Sequence, residues 1–161
     1  MKAFFSSLTY TYDQMDQIIE WCAPLLKNQK IITFTGGLGA GKTTFIRHLL
    51  VHWGIQETII TSPTFTYVNV YRKTENIIFY HFDLYRLHTV QEFMMAGFHE
   101  YIHDTRAQSL IEWPELIMDL TKTSVAHCLF EYGEQENERK LTIQIDNEYK
   151  KNMKGNVHAK L

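Results

Sequence analysis

Cysteine is scarce in this chain of 161 residues: there are two, Cys22 and Cys128, far apart and without a CxxC companion. That spacing argues against a disulfide framework or a zinc knuckle and leaves both as small buried hydrophobes. No apolar run approaches the length of a membrane span or of a signal peptide's core, so no membrane role is expected and the cytoplasm is the expected location. An excess of charge of one sign is missing as well. Sixteen lysines and arginines stand against eighteen acids, a formal net charge of -2, so nothing draws the whole molecule to nucleic acid. Any RNA contact then needs a local patch or an intermediary protein. The length suits a single domain with one real core and little to spare for a second.

Glycine, by contrast, is concentrated. Gly36, Gly37, Gly39 and Gly41, four of the eight, fall in Gly36-Gly37-Leu38-Gly39-Ala40-Gly41-Lys42-Thr43, which fits G-x-x-x-x-G-K-[ST]. The apolar run 30–35 stands directly before it and a helical pattern follows. Consecutive backbone N–H groups can close around a polyphosphate only where side chains are absent, which is what the glycines provide. Lys42 adds a point charge for the β- and γ-phosphates. Thr43 offers a hydroxyl to Mg²⁺ at a helix N-terminus that itself favours anions. The nucleotide-binding candidates of this stretch are Gly36, Gly37, Leu38, Gly39, Ala40, Gly41, Lys42, Thr43 and Thr44. A merely flexible glycine turn would not need the preceding strand, the lysine and the threonine together.

Apolar periodicity supplies the rest of the chain. A strand is expected over 3–8, then a helix from Asp13 with Met15, Ile18, Ile19, Cys22, Leu25 and Leu26 on one face and an irregular last turn at Pro24. A buried strand over 30–35 precedes the loop. The helix after it carries Ile46, Leu49, Leu50 and Trp53 inward and stops at Gly54. Runs 64–71 and 77–84 around the polar segment 72–76 predict an antiparallel hairpin. Helical pattern over 90–104 is broken near Gly97, a strand runs over 108–113 up to Pro114, and a brief helix covers 115–120. Strands over 125–132 and 140–145 close the pattern across an acidic turn. This alternation predicts an α/β fold: a three-layer domain of P-loop NTPase type over residues 1–148, with a mixed, mainly parallel central sheet and antiparallel hairpins. Residues 149–161, with Lys150, Lys151, Lys154 and Lys160, read as a mobile basic tail.

Hydrolysis or transfer also needs an acid near Mg²⁺. Asp83 stands at the end of one apolar strand in His81-Phe82-Asp83-Leu84-Tyr85-Arg86, and Glu112 at the end of another in Ile111-Glu112-Trp113-Pro114-Glu115. The plainer alternatives are a helix cap for Asp83 and a surface ion pair for Glu112. A competing pattern, His99-Glu100-Tyr101-Ile102-His103, matches the zinc-protease H-E-x-x-H. Eight histidines and twelve glutamates make such a match easy to meet by chance, and no further ligand motif follows it, so exposed histidines are expected there.

Taken in order, GLGAGKTTF (37–45), SPTFTYV (62–68), HFDLYRL (81–87) and IEWPE (111–115) resemble the TsaE family, also called YjeE, over nearly the whole chain up to the Glu-Arg-Lys segment at 138–140. That family is a small bacterial ATPase required for the threonylcarbamoyl modification of adenosine 37 in tRNAs reading codons that begin with A. The resemblance implies ATP and Mg²⁺ as cofactors, with Lys42, Asp83 and Glu112 as catalytic residues and Thr43, Glu112 and Asp83 near the metal. It implies a switch-like segment at Ser62, Pro63 and Thr64, with Ser62, Thr64 and Trp113 beside the nucleotide. Arg139 matches an arginine of the family's last hairpin, where a nucleotide contact, a partner contact and a solvated charge all stay open. The family usually has Asp after the loop's first glycine; this chain has Gly37, which leaves phosphate binding intact with a floppier loop. The implied partners are a TsaD-like threonylcarbamoyl transferase and its TsaB-like companion, with tRNA held through the complex. A small-molecule kinase and a non-hydrolysing assembly switch are the alternatives. The five scattered arginines argue against a kinase lid, and none is assignable as an arginine finger.

Overall fold

A computed structural model describes residues 4–121 and 125–145; the basic segment 149–161 lies outside the described residues. Seven strands form one sheet: β1 (Phe4–Thr11), β2 (Ile31–Gly36), β3 (Val68–Thr74), β4 (Ile77–Asp83), β5 (Ala107–Glu112), β6 (Val125–Tyr132) and β7 (Glu138–Ile145), in the order β1-β7-β6-β2-β5-β4-β3. The four strands β6, β2, β5 and β4 run parallel at its centre, and the outer pairings β1·β7, β7·β6 and β4·β3 are antiparallel. Parallel strands need both faces covered, and two apolar layers cover them. Helices α1 (Met15–Leu26) and α2 (Lys42–His52) pack Ile18, Leu26, Phe45 and Leu49 on one face. The short helices α3 (Val90–Met95) and α4 (Phe98–His103) and the 3₁₀ turn Pro114–Leu120 bring Phe93, Phe98, Ile102 and Ile117 to the other. The three-layer α/β architecture follows.

Strand alternation decides which side chains can meet the glycine loop. On β4, Ile78, Tyr80 and Phe82 belong to the α3/α4 face while Phe79 joins α1 and α2; His81 and Asp83 share the parity of Phe79. On β5, Leu110 and Glu112 lie on that same side. Asp83 and Glu112 are register partners at the carboxyl ends of adjacent parallel strands. Open α/β sheets bind their ligands at that end.

Several local departures have physical causes. Helix α1 runs straight through Pro24 to Leu26 and closes with Lys27 N–H on Ala23 O at 2.9 Å. A proline this near the end frees only the carbonyl of Glu20, which is exposed. The strand expected from residue 64 starts at Val68 instead, because the N–H groups of Thr66 and Tyr67 both return to Pro63 O (3.1 and 2.7 Å) in a turn that holds Tyr67 at φ 63°. Strands β1 and β7 are longer than expected, pairing as far as Thr11 with Glu138. Trp53 lies just past the end of α2 and stacks on Phe79, centroids 5.3 Å apart and planes within 12°. Cys22 and Cys128 are free and buried, and burial raises both thiol pKa values, that of Cys22 to about 12.

Candidate nucleotide site

Between β2 and α2 the loop from Gly36 to Gly41 turns over the end of the parallel strands. Gly36 pairs with Phe130 across β6 at φ 138°, and a Cβ there would fall 2.3 Å from Phe130 O, so no side chain fits. Gly41 has open space around it but φ 101°, a left-handed conformation that lets α2 begin at Lys42. Gly37 carries neither constraint: an added Cβ would make ordinary contact with Tyr132 at 3.5 Å. The loop's tip is tied down by the Tyr132 hydroxyl, which donates to Leu38 O at 2.5 Å.

Lys42 opens α2, is 5% exposed and lines the cleft beside the loop. It donates to Gly36 O (2.8 Å) and Gly37 O (2.9 Å) and lies 3.9 Å from the centroid of the Trp113 ring. Burial lowers its pKa from the usual lysine range, opposed by the carboxylates of Glu112, Asp83 and Glu115. Trp113 reaches this place through a left-handed backbone, φ 56° and ψ 57°, rare for a side chain of this size and costing on the order of 1–2 kcal/mol. Its N–H anchors the turn on Phe34 O at 3.2 Å. Tyr85 packs against the indole at 4.9 Å.

Three oxygen-bearing side chains converge beside the lysine. The Thr43 hydroxyl shares its proton between Oε1 and Oε2 of Glu112, at 2.8 and 2.9 Å. Glu112, 2% exposed, also accepts from Nε2 of the wholly buried His81 at 2.8 Å. Asp83 accepts from Thr64 Oγ1 at 2.8 Å and from the Tyr85 N–H at 3.1 Å. Thr64 is in turn 2.8 Å from Ser62 Oγ, and Asn69 and Tyr71 hold the carbonyl of Thr61 at 3.0 Å each. The segment 62–64 is thus joined to Asp83 through the hydroxyl of Thr64.

These residues enclose a cleft of ≈ 400 Å³ lined by Leu38, Gly39, Gly41, Lys42, Thr43, Thr44, Thr64, Asp83, Tyr85, Arg86, Glu112 and Trp113. Lys42, Thr43, Thr64, Asp83, Glu112 and Trp113, all expected in the site, are brought together there. Ser62 stands one hydrogen bond behind. Arg139 is not among the residues lining the cleft: its guanidinium donates to Glu136 O (2.9 Å) and Glu138 O (2.7 Å) and covers the ring of Tyr132 at 4.9 Å, the tyrosine that braces the loop. Tyr85, Arg86 and His81 were not singled out from the sequence, although HFDLYRL contains all three. Arg86 lines the cleft with its guanidinium 4.6 Å from the centroid of the Phe65 ring, so an arginine does stand at the site.

A larger cleft, ≈ 670 Å³, opens at the opposite end of the sheet, with Lys27, Lys30, Lys73 and Arg106 in its wall. There Lys73 donates to Trp53 O at 2.9 Å, Lys30 to the carbonyls of Asp104 and Ala107, and Gln108 to Leu26 O at 2.9 Å. These side chains answer carbonyls left over at helix and loop ends, which accounts for them without a ligand.

His99 and His103 sit on the six-residue α4, with His99 half-buried, His103 exposed, and Nδ1 of His99 buried without a partner. No group of three or more His, Cys, Asp or Glu able to hold a metal occurs among the described residues. Replacing both by alanine is expected to leave nucleotide binding and hydrolysis unchanged, and metal analysis of chelator-free protein to find no stoichiometric zinc. One tightly bound zinc per chain would revive the protease alternative.

The model of a family described as "Threonylcarbamoyl adenosine biosynthesis protein TsaE" matches residues 9–153. A "tRNA threonylcarbamoyladenosine biosynthesis protein TsaE" of Rickettsia felis is 39% identical over 108 residues, 67% of this chain and 61% of that protein. The protein of the same description in Rickettsia bellii is 35% identical over 127 residues, 79% of this chain and 84% of its own length. The one in Borreliella burgdorferi is 40% identical over 91 residues, 56% and 64% of the two chains. In two of these three alignments the chain therefore spans less than two thirds of its relative. The crystal structure of Bacillus subtilis YdiB covers 91% of this chain and 89% of its own with TM-score 0.68 at 24% identity, a likeness of fold.

Proposed function

The chain belongs to the TsaE family of tRNA threonylcarbamoyladenosine biosynthesis, and from that premise we propose that it is the pathway's Mg²⁺-dependent ATPase. The observation that carries this reading is the Thr43–Glu112 contact at the start of α2, beside Lys42 and the glycine loop. A strand-end carboxylate touching the hydroxyl that follows the loop lysine is the donor pair a phosphate-bound magnesium ion requires. The donors Thr43, Glu112 and Asp83 are all oxygens, which suits Mg²⁺. Bound there, the ion would neutralise charge on the β- and γ-phosphates.

The chain's own residues supply the rest. The loop amides and the α2 N-terminus offer positive ends to the phosphates, and Lys42, now satisfied by loop carbonyls, exchanges them for phosphate oxygens. Glu112 orients the hydroxyl of Thr43 and can accept a proton from water. Trp113 and Tyr85 wall the cleft on the side of Lys42, and Thr64 links the segment 62–64 to Asp83. Arg86, exposed and set against the ring of Phe65, is a cation that a docked partner can order.

No membrane-spanning helix occurs among the described residues. The partners in this reading are a TsaD-like transferase and its TsaB-like companion, with tRNA bound mainly by them. A phosphoryl-transfer site whose arginine is loosely placed is slow alone and gains ~10³-fold or more when a partner orders that charge. Steady-state ATPase assays of the purified chain, with and without the transferase pair at matched salt, are expected to show weak intrinsic turnover that rises on addition. An unchanged rate, unchanged ATP affinity and no complex with ATP present would remove the coupling.

A further inference from the structure

His81 lies on β4 two residues before Asp83, wholly buried, yet only half of its polar capacity is met within the protein. Nε2 is 2.8 Å from Oε1 of Glu112, whereas Nδ1 is buried with no partner among the described residues. A carboxylate can only accept, so the ring proton facing it is on Nε2. An apolar side chain of similar size would fill the same space without an unpaired nitrogen, so packing does not account for an imidazole here. What the imidazole adds is a second hold on Glu112. Thr43 engages that carboxylate from the α2 side and His81 from within the sheet, and a carboxylate bonded from two directions cannot turn about its terminal torsion.

We propose that His81 is a positioning residue: its Nε2–H fixes the Glu112 carboxylate toward Thr43, setting the geometry in which the site takes up Mg²⁺ with nucleotide. This rests on the Mg²⁺-nucleotide reading of the cleft. The imidazole does not reach the cleft itself. Its register partner on β5 is Leu110, and it meets Glu112 diagonally from the buried side. Hydrogen-bond partners that orient a metal's ligands change metal affinity about 10- to 100-fold when removed.

The test titrates a fluorescent ADP analogue into the full chain over a series of Mg²⁺ concentrations, with thermal melting as a check on folding. His81→Leu keeps the bulk and loses the donor; the Mg²⁺ concentration giving half the maximal rise in affinity should increase by about 10- to 100-fold. His81→Gln, whose amide nitrogen can stand in for Nε2, should return it close to wild type. A Leu variant with wild-type Mg²⁺ dependence overturns the proposal. So does a folded Gln variant as impaired as Leu. If the Leu variant does not fold, ¹⁵N-histidine NMR of the wild-type chain decides: an Nε2–H ring whose shifts respond when Mg²⁺ is added to the ADP-bound protein supports the role. An Nδ1–H ring, or one indifferent to Mg²⁺, ends it. A wild-type chain that binds no nucleotide at any Mg²⁺ concentration fails the functional reading itself and takes this role with it.

Discussion

Lys42→Ala is expected to lower ATP affinity by at least about 10²-fold and to stop measurable turnover while the chain stays folded. The loss follows from charged hydrogen bonds to phosphate, worth roughly 1.5–3 kcal/mol each, of which the ammonium can make more than one. Folding should survive because Lys42 is held by two loop carbonyls and the face of Trp113, contacts at the cleft's wall, while Phe45, Ile46, Leu49 and Leu50 carry the packing of α2. Removing the lysine also leaves Gly36 O and Gly37 O without that donor, so a modest drop in melting temperature should accompany the functional loss. Calorimetric ATP titration paired with thermal melting measures both. A folded variant that binds and hydrolyses ATP as the wild type does would remove the phosphate loop from the mechanism.

Glu112→Gln should separate binding from chemistry. The amide oxygen can still accept from His81 and Thr43, so the local network and the fold persist, but the negative charge is gone. Hydrolysis is expected to fall by roughly 10²–10³ with ATP still bound. Because Glu112 is one of the carboxylates that oppose the burial-driven fall in Lys42's pKa, the substitution should also lower that pKa further. Single-turnover kinetics, with the chain in excess over ATP and Mg²⁺ saturating, reads the effect without interference from release. Wild-type rates would reduce Glu112 to a structural partner of Thr43.

Much of this site is legible in the sequence because its chemistry is local. The glycine spacing, Lys42 and Thr43 lie within one strand-loop-helix unit, and Asp83 and Glu112 each end an apolar run, which fixes their place at the sheet's carboxyl edge. What was not legible depends on register. His81 and Glu112 are 31 residues apart, and nothing short of the β4·β5 pairing shows that they share a face. The same holds for Arg139, whose likeness to a family arginine pointed equally to nucleotide, partner or solvent. Its absence from the cleft wall follows from the β6·β7 hairpin, which stacks it on Tyr132. The strand start at residue 64 misled for another reason: β-branched and aromatic composition favoured extension, while the turn at Pro63 and a Thr64–Asp83 hydrogen bond won locally. An arginine at the cleft was visible in HFDLYRL, three residues past Asp83, but only the fold turns Arg86 toward it.

The most direct test of the account is a calorimetric titration of the purified chain with ATP in the presence and absence of Mg²⁺, followed through the emission of Trp113 with Trp21 and Trp53 replaced by phenylalanine. The account predicts one ATP per chain, affinity that depends on Mg²⁺, and a change in Trp113 emission as Lys42 leaves the indole for phosphate. Absence of ATP binding by a folded chain, or binding that neither requires Lys42 nor alters Trp113, would contradict it.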